Sequence, residues 1–280
     1  MRVPSKILAV GAALFVIVGL ASSTARPTAD ASSAAASTAI SQHAHPGFPQ
    51  SANDPTDWYG NVDIACPTCH IRYVNANFTV PTLDCSNSNM GSGGAWMSLW
   101  AGLDGDGDST LEQVGVQARC TSFANSSAQY FSFYERVPDG YVPLPVPVSP
   151  GNSISVSVYY DQSNNQYQFG FQNNTTSTGT SVEVTCPSGS TCENKTAEVI
   201  AEVVDPGPPE YDMPDFGSVS FSGTTVTSYD GTKGDLCKGS LWSSATVVGV
   251  DYEGHSLATV GSPSPCTGPD GFTVKYWQSQ

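Results

Sequence analysis

The 280-residue chain is poor in charge and poorer still in positive charge. Only 12% of its residues are charged, about half the usual share of a soluble domain. Ten Lys and Arg stand against 25 Asp and Glu, for a formal charge of -15 and a pI of about 4.3. So few cations argue against binding a nucleic acid through a basic face. Helical patterning is scarce too: no convincing amphipathic helix follows residue 52. Several catalytic signatures are missing: Gly-x-Ser-x-Gly, His-Glu-x-x-His, a free-cysteine motif and paired Asp-Thr/Ser-Gly. Serine, zinc, thiol and pepsin-like aspartic hydrolysis therefore lack their usual marks. Cys66-Pro67-Thr68-Cys69-His70 has no second C-x-x-C to complete a metal site, and His43 and His45 fall in a low-complexity arm. These cysteines read as disulfide cysteines in a loop.

Turn and strand chemistry is plentiful. Gly numbers 27 and Pro 20, beside many Ser, Thr, Asn and Val. Such a chain turns often and resists long helices. Residues 1–25 read as a signal peptide: Arg2 and Lys6 precede 15 apolar residues at 7–21, and Ser23-Thr24-Ala25 fits a cleavage site. Fifteen apolar residues fall short of the roughly 20 that span a bilayer. The expectation is a secreted, extracellular protein, free of the membrane after cleavage. Residues 26–52 are rich in Ala, Ser and Thr and lack large apolar residues, so they read as a flexible arm or pro-segment. Eight cysteines in an exported chain read as disulfides. Proximity favours Cys186 with Cys192 and Cys237 with Cys266, although eight cysteines allow 105 pairings.

From residue 53 onward, short β-branched and aromatic runs alternate with Gly, Pro, Asn and Asp clusters. Ser153-Ile154-Ser155-Val156-Ser157-Val158-Tyr159-Tyr160 has the period of a half-buried strand. Many short strands with frequent turns predict an all-β sandwich or barrel, and residues 53–280 are expected to form one domain. Asn77, Asn125, Asn173, Asn174 and Asn194 fit the N-glycosylation pattern.

Three segments stand out for chemistry. Asp104, Asp106 and Asp108 alternate as in a calcium loop. Position six is Ser109 rather than Gly and position twelve is Gly115 rather than Glu, so the EF-hand pattern fails. Along residues 196–204, strand alternation would put Glu198 and Glu202 on one face with Ile200 and Val204. A carboxylate among apolar residues is a candidate for proton transfer. The bland alternative is an edge strand with its acids in solvent. The third segment, Phe131-Ser132-Phe133-Tyr134-Glu135, is an aromatic strand with one acid.

Together these segments resemble the glutamic peptidases, or eqolisins. The family's Trp-x-Gly-Ile-Asp-Gly-Asp and Leu-Gln-Thr-Gly-Val are matched by residues 100–106 and 112–116. Its Tyr-Glu-Trp-Tyr-Pro is matched by Tyr134-Glu135-Arg136-Val137-Pro138. Its Cys-Glu and Ala-Glu-Trp-Ile-Val-Glu are matched by Cys192-Glu193 and residues 197–202. Asp215-Phe216-Gly217-Ser218-Val219, Asp57-Trp58-Tyr59-Gly60 and residues 78–81 extend the likeness over most of 57–280. The resemblance implies a concanavalin- or jelly-roll-like antiparallel two-sheet β-sandwich. It also implies a catalytic pair, Gln113 and Glu202, with Trp100, Asp104, Tyr134 and Glu135 contacting substrate. Val199, Ala201, Val114, Gln117 and Glu112 depart from the family pattern.

The activity so implied is acid endopeptidase, insensitive to pepstatin, acting on polypeptides as a monomer with no cofactor and no metal. Glu202 would take a proton from water and return it to the leaving amine, while Gln113 orients the water and donates to the oxyanion. Two rivals use the same architecture. One is a glycoside hydrolase with Glu135 and Glu202 as its acids and Trp58, Trp96 and Trp100 as sugar platforms. The other is a non-catalytic binding module. The acidic composition adds a separate expectation: carboxylates crowded in the fold should favour acid pH.

Overall fold

The structure, a computed structural model, describes residues 56–88, 90, 93–204, 213–236, 240–250, 256–261 and 271–277. The expected signal peptide, the arm, His43, His45, Cys237 and Cys266 lie outside these residues.

Fifteen strands among the described residues form two antiparallel sheets. The first sheet runs in the order β13 (Trp242–Val250), β1 (Thr56–Ala65), β10 (Thr196–Val203), β3 (Ala95–Leu103), β4 (Leu111–Cys120), β5 (Ala128–Val137) and β6 (Gly140–Pro143). The second runs β14 (Ala258–Gly261), β15 (Gly271–Tyr276), β11 (Ser218–Ser228), β2 (Ile71–Thr79), β7 (Ser153–Asp161), β8 (Gln166–Asn173) and β9 (Thr178–Thr185). The short β12 (Lys233–Gly234) adds to β11. The expected all-β two-sheet sandwich is the fold found. Among the described residues, no helix is long and apolar enough to cross a membrane.

Alternation explains the core. In β7, Ile154, Val156 and Val158 are buried while Ser153, Ser155 and Ser157 are not. They meet Met97, Leu99, Val114 and Val116 of the first sheet in one core cluster. Cross-sheet contacts join β3 and β4 to β7, β3 to β2 and β4 to β8.

Cys186 pairs with Cys192, as proximity favoured. Cys66 pairs with Cys69, closing its own loop. Cys85 pairs with Cys120 across 35 residues and ties the β2–β3 connection to the end of β4. Of the glycosylation-type asparagines, Asn173 and Asn194 are buried, whereas Asn125 and Asn174 are exposed.

Candidate active site

Strand register decides which of the expected residues share a surface. Side chains alternate across a strand, so partners in adjacent strands form rows on one face. On the outer face of the first sheet, one row holds Glu198, Gly102, Gln113 and Glu135. The next holds Ile200, Trp100, Gly115 and Phe133. A third holds Trp58, Glu202, Ser98, Gln117 and Phe131. This face has its own apolar floor, separate from the inter-sheet core: Trp58, Val62, Trp100, Leu111, Phe133, Val137 and Ile200.

Glycine shapes that floor. A Cβ on Gly115 would lie 2.1 Å from the Leu99 carbonyl oxygen. A Cβ on Gly102 would lie 2.9 Å from the Trp100 ring. The Trp100 indole therefore leans over Gly102, and Trp58 meets it edge-on with centroids 4.7 Å apart.

Glu202 is 5% exposed. Its Oε1 accepts from Trp58 Nε1 at 3.2 Å, and its Oε2 accepts from Ser98 Oγ and Trp100 Nε1, both at 2.8 Å. Two indoles and a hydroxyl thus satisfy a carboxylate set in apolar surroundings, as burial demands. Gln113 is 1% exposed, and its Nε2 donates to Glu135 Oε2 at 2.9 Å. Its Oε1 has no hydrogen-bond partner among the described residues. Gln113 and Glu202 share the outer face of the first sheet with the Trp100 row between them, and no hydrogen bond joins them directly.

The other expected contact residues divide. Trp100 and Glu135 lie on the same face and touch the pair. Tyr134 points the opposite way, because alternation separates it from Glu135, and it stacks on Phe169 of the second sheet at 5.1 Å. Asp104 is buried and accepts from the backbone amides of Asn194 and Lys195, each at 2.8 Å. It fastens the end of β3 to the entry of β10. Burial pushes its carboxyl up to about 7, against the pull of those two amides.

Three more acids are sealed in. Glu198 is 0% exposed; Thr196 and the Asp106 amide lie beside it, yet neither oxygen meets hydrogen-bond geometry. Burial raises its carboxyl well above the usual range. Glu112 faces inward, and its Oε1 lies 3.2 Å from Cys192 Sγ. Burial raises Glu112 in the same sense. Asp63, bonded to Ser244, is pushed up to about 8 by burial.

Among the described residues, the one close grouping of His, Cys and acid atoms is Glu112 with Cys186 and Cys192. Those sulfurs are joined to each other. Asp104, Asp106 and Asp108 make no such grouping.

Ser98, which completes the Glu202 cradle, drew no attention in the sequence. The alternation Trp96-Met97-Ser98-Leu99-Trp100 was its available signal, since it puts Ser98 between two tryptophans on one face.

A family model described as the peptidase A4 family matches residues 56–276. Comparison with curated protein sequences finds no match. Among solved structures, scytalido-glutamic peptidase with a transition-state analog inhibitor matches at TM-score 0.62 and 21% identity, covering 79% of this chain and 98% of its own. SCP-B, an eqolisin solved with the tripeptide Ala-Ile-His, matches at TM-score 0.60 and 20% identity, with the same coverage. At those identities the likeness establishes fold. Aspergilloglutamic peptidase from Aspergillus niger matches at TM-score 0.53 and 27% identity, over 65% of this chain and 99% of its own.

Proposed function

The chain belongs to the peptidase A4 family, the glutamic peptidases, and on that premise we propose that it is a secreted, monomeric acid endopeptidase working through Gln113 and Glu202. The observation that supports the pair is one sheet face holding both a satisfied carboxylate and a buried amide oxygen that has no hydrogen-bond partner among the described residues.

Peptide hydrolysis needs an activated water, a stabilised oxyanion and a proton for the leaving amine. Gln113 Oε1 accepts a hydrogen bond from the water, and Glu202 removes the water's other proton as its oxygen attacks the carbonyl carbon. An amide nitrogen carries two hydrogens. Glu135 holds one hydrogen of Gln113 Nε2 and so aims the second at the developing oxyanion. Glu202 then passes its proton to the amide nitrogen, the C–N bond breaks, and an acid and an amine leave. A water between the two side chains, rather than direct contact, is what this chemistry requires.

The test is digestion of denatured protein at about pH 3 to 4, near the carboxylate reference values, with and without pepstatin. Cleavage that pepstatin leaves untouched supports the reading. Failure to cleave protein, with turnover of a polysaccharide instead, moves the assignment to a glycoside hydrolase.

A further inference from the structure

Beyond Gln117, the next outward residue of β4 is Arg119. Its register partners are Trp96 on β3 and Gln129 on β5. It therefore sits one row past Glu202, at the end of the cleft face away from Gln113. Its guanidinium carbon lies 4.3 Å from the Trp96 ring centroid and 5.3 Å from that of Phe131. Its Nε donates to Gln129 Oε1 at 2.7 Å. Trp96 is itself anchored, its Nε1 donating to the Gly93 carbonyl at 3.1 Å. Two rings and a hydrogen bond thus hold the guanidinium in one orientation, and such stacking is favourable for arginine. Its two terminal nitrogens make no hydrogen bond or ion pair among the described residues.

The charge around it makes this placement unusual. Among the described strand residues, the other charges on this face are acids: Glu135, Glu198 and Glu202. The remaining described cations are engaged or distant. Arg136 pairs with Asp139 and donates to the Thr185 carbonyl. Lys195 donates to the carbonyls of Pro67 and Cys69. Arg72, Lys233 and Lys275 belong to strands of the second sheet.

A guanidinium with its Nε occupied and its terminal nitrogens open presents a fork that matches a carboxylate. We propose that Arg119, on its Trp96–Phe131 platform, forms a substrate subsite for a carboxylate at the Glu202 end of the cleft. The carboxylate belongs either to an acidic side chain of the substrate or to its free C-terminus. The proposal rests on the peptidase reading above and deepens it by naming a specificity.

The test uses matched peptides carrying Glu or Gln at each position around the cleaved bond, and matched peptides ending in acid or amide. With the wild-type enzyme at about pH 5, one position should favour the carboxylate roughly tenfold in kcat/KM, the size of a charge-assisted hydrogen bond. The Glu/Gln arm and the acid/amide arm tell the two sources apart. A glutamate side chain has a pKa of about 4.3, so the Glu/Gln ratio should shrink toward one by about pH 3. Arg119→Gln should remove the ratio at pH 5, and Arg119→Lys, which keeps charge but loses the fork, should lower it several-fold. If Arg119→Gln does not fold, the Lys variant carries the test. No carboxylate preference in the wild type at pH 5, or a ratio that neither variant changes, overturns the proposal. Calorimetric binding of the same peptides to Glu202→Gln separates the two readings. A carboxylate preference in binding without any turnover by the wild type sinks the peptidase assignment and leaves the subsite standing.

Discussion

Both sheets are antiparallel, but they differ in their outer faces. In the second sheet, burial alternates residue by residue: β7, β8 and β9 turn every other side chain to solvent. In the first sheet, every residue of β10 is buried, as are nine of the ten residues of β4. Its outer face is thus nearly as covered as its inner one, yet it holds Gln113, Glu198 and Glu202 rather than aliphatic residues alone. Covering a polar face stabilises nothing by itself; desolvation opposes it. A face built that way marks where the fold spends stability on chemistry.

The contrast breaks most sharply on the proposed pair. Glu202→Gln or Gln113→Ala should lower acid proteolysis by roughly 100- to 10,000-fold, the range for general acid–base groups and oxyanion donors. Retention of most activity by either variant would sink the assignment, provided circular dichroism shows a folded protein.

The pH response comes next in size. Asp63 and Asp104 have folded pKa values of about 8 and about 7 against an ordinary 3.8, and Glu112 and Glu198 are raised in the same direction. For a raised acid, the folded state binds the extra proton. The stability so gained is fully present below the unfolded value and is lost as pH rises through the folded one. The window for these groups runs from about pH 4 upward through about pH 7 to 8. Exposed Asp84 and Asp230 and the partly exposed Asp161 are shifted the other way by local hydrogen bonds, and their stability is lost only as pH falls. The buried groups dominate because solvent does not screen them. A melting series should therefore show a higher Tm at pH 4 than at pH 8. Glu198→Gln, which mimics the protonated acid, should be more stable than wild type at pH 7. A Tm that climbs steadily toward neutrality contradicts the whole account.

Glycine substitutions compare the two sheets directly. Gly115→Ala on β4 drives a methyl against the Leu99 carbonyl at 2.1 Å, a backbone atom that cannot step aside. It should cost about 3 kcal/mol in urea unfolding, at the upper end for overpacking. Gly170→Ala on β8 meets only the Ser157 hydroxyl, which rotates away, and should cost under about 1 kcal/mol. Equal costs would remove the distinction. Smallest of all, Gln168→Ala on the solvent face of β8 should stay within about 0.5 kcal/mol of wild type and leave proteolysis unchanged.

The legibility of the sequence followed the same divide. Residues 153–160 could be read as a half-buried strand because one of their faces meets water, and period two survives in the pattern. Residues 196–203 admitted both a cleft strand and a solvated edge. When both faces are covered, polarity no longer reports orientation, so only register with β3 and β1 decided between them. Alternation alone separates Tyr134 from Glu135, and the structure puts Tyr134 on Phe169. The Cys186–Cys192 pair was legible from its spacing of six residues, whereas Cys85–Cys120 closes 35 and needed the fold to bring its ends together. Arg119 carried no signal at all until Trp96 and Phe131 were known to flank it.

The sequence by itself therefore determined the all-β class and a set of family motifs in order along the chain. These are properties of local period, composition and residue identity, which need no distant partner. Tertiary structure alone decided that Glu202 is held by Trp58, Ser98 and Trp100, that Gln113 is clamped by Glu135, and that Glu112 and Glu198 are shut away from water. Each of those depends on which strands lie side by side and in what register, and a one-residue slip would have turned every one of them to the opposite face.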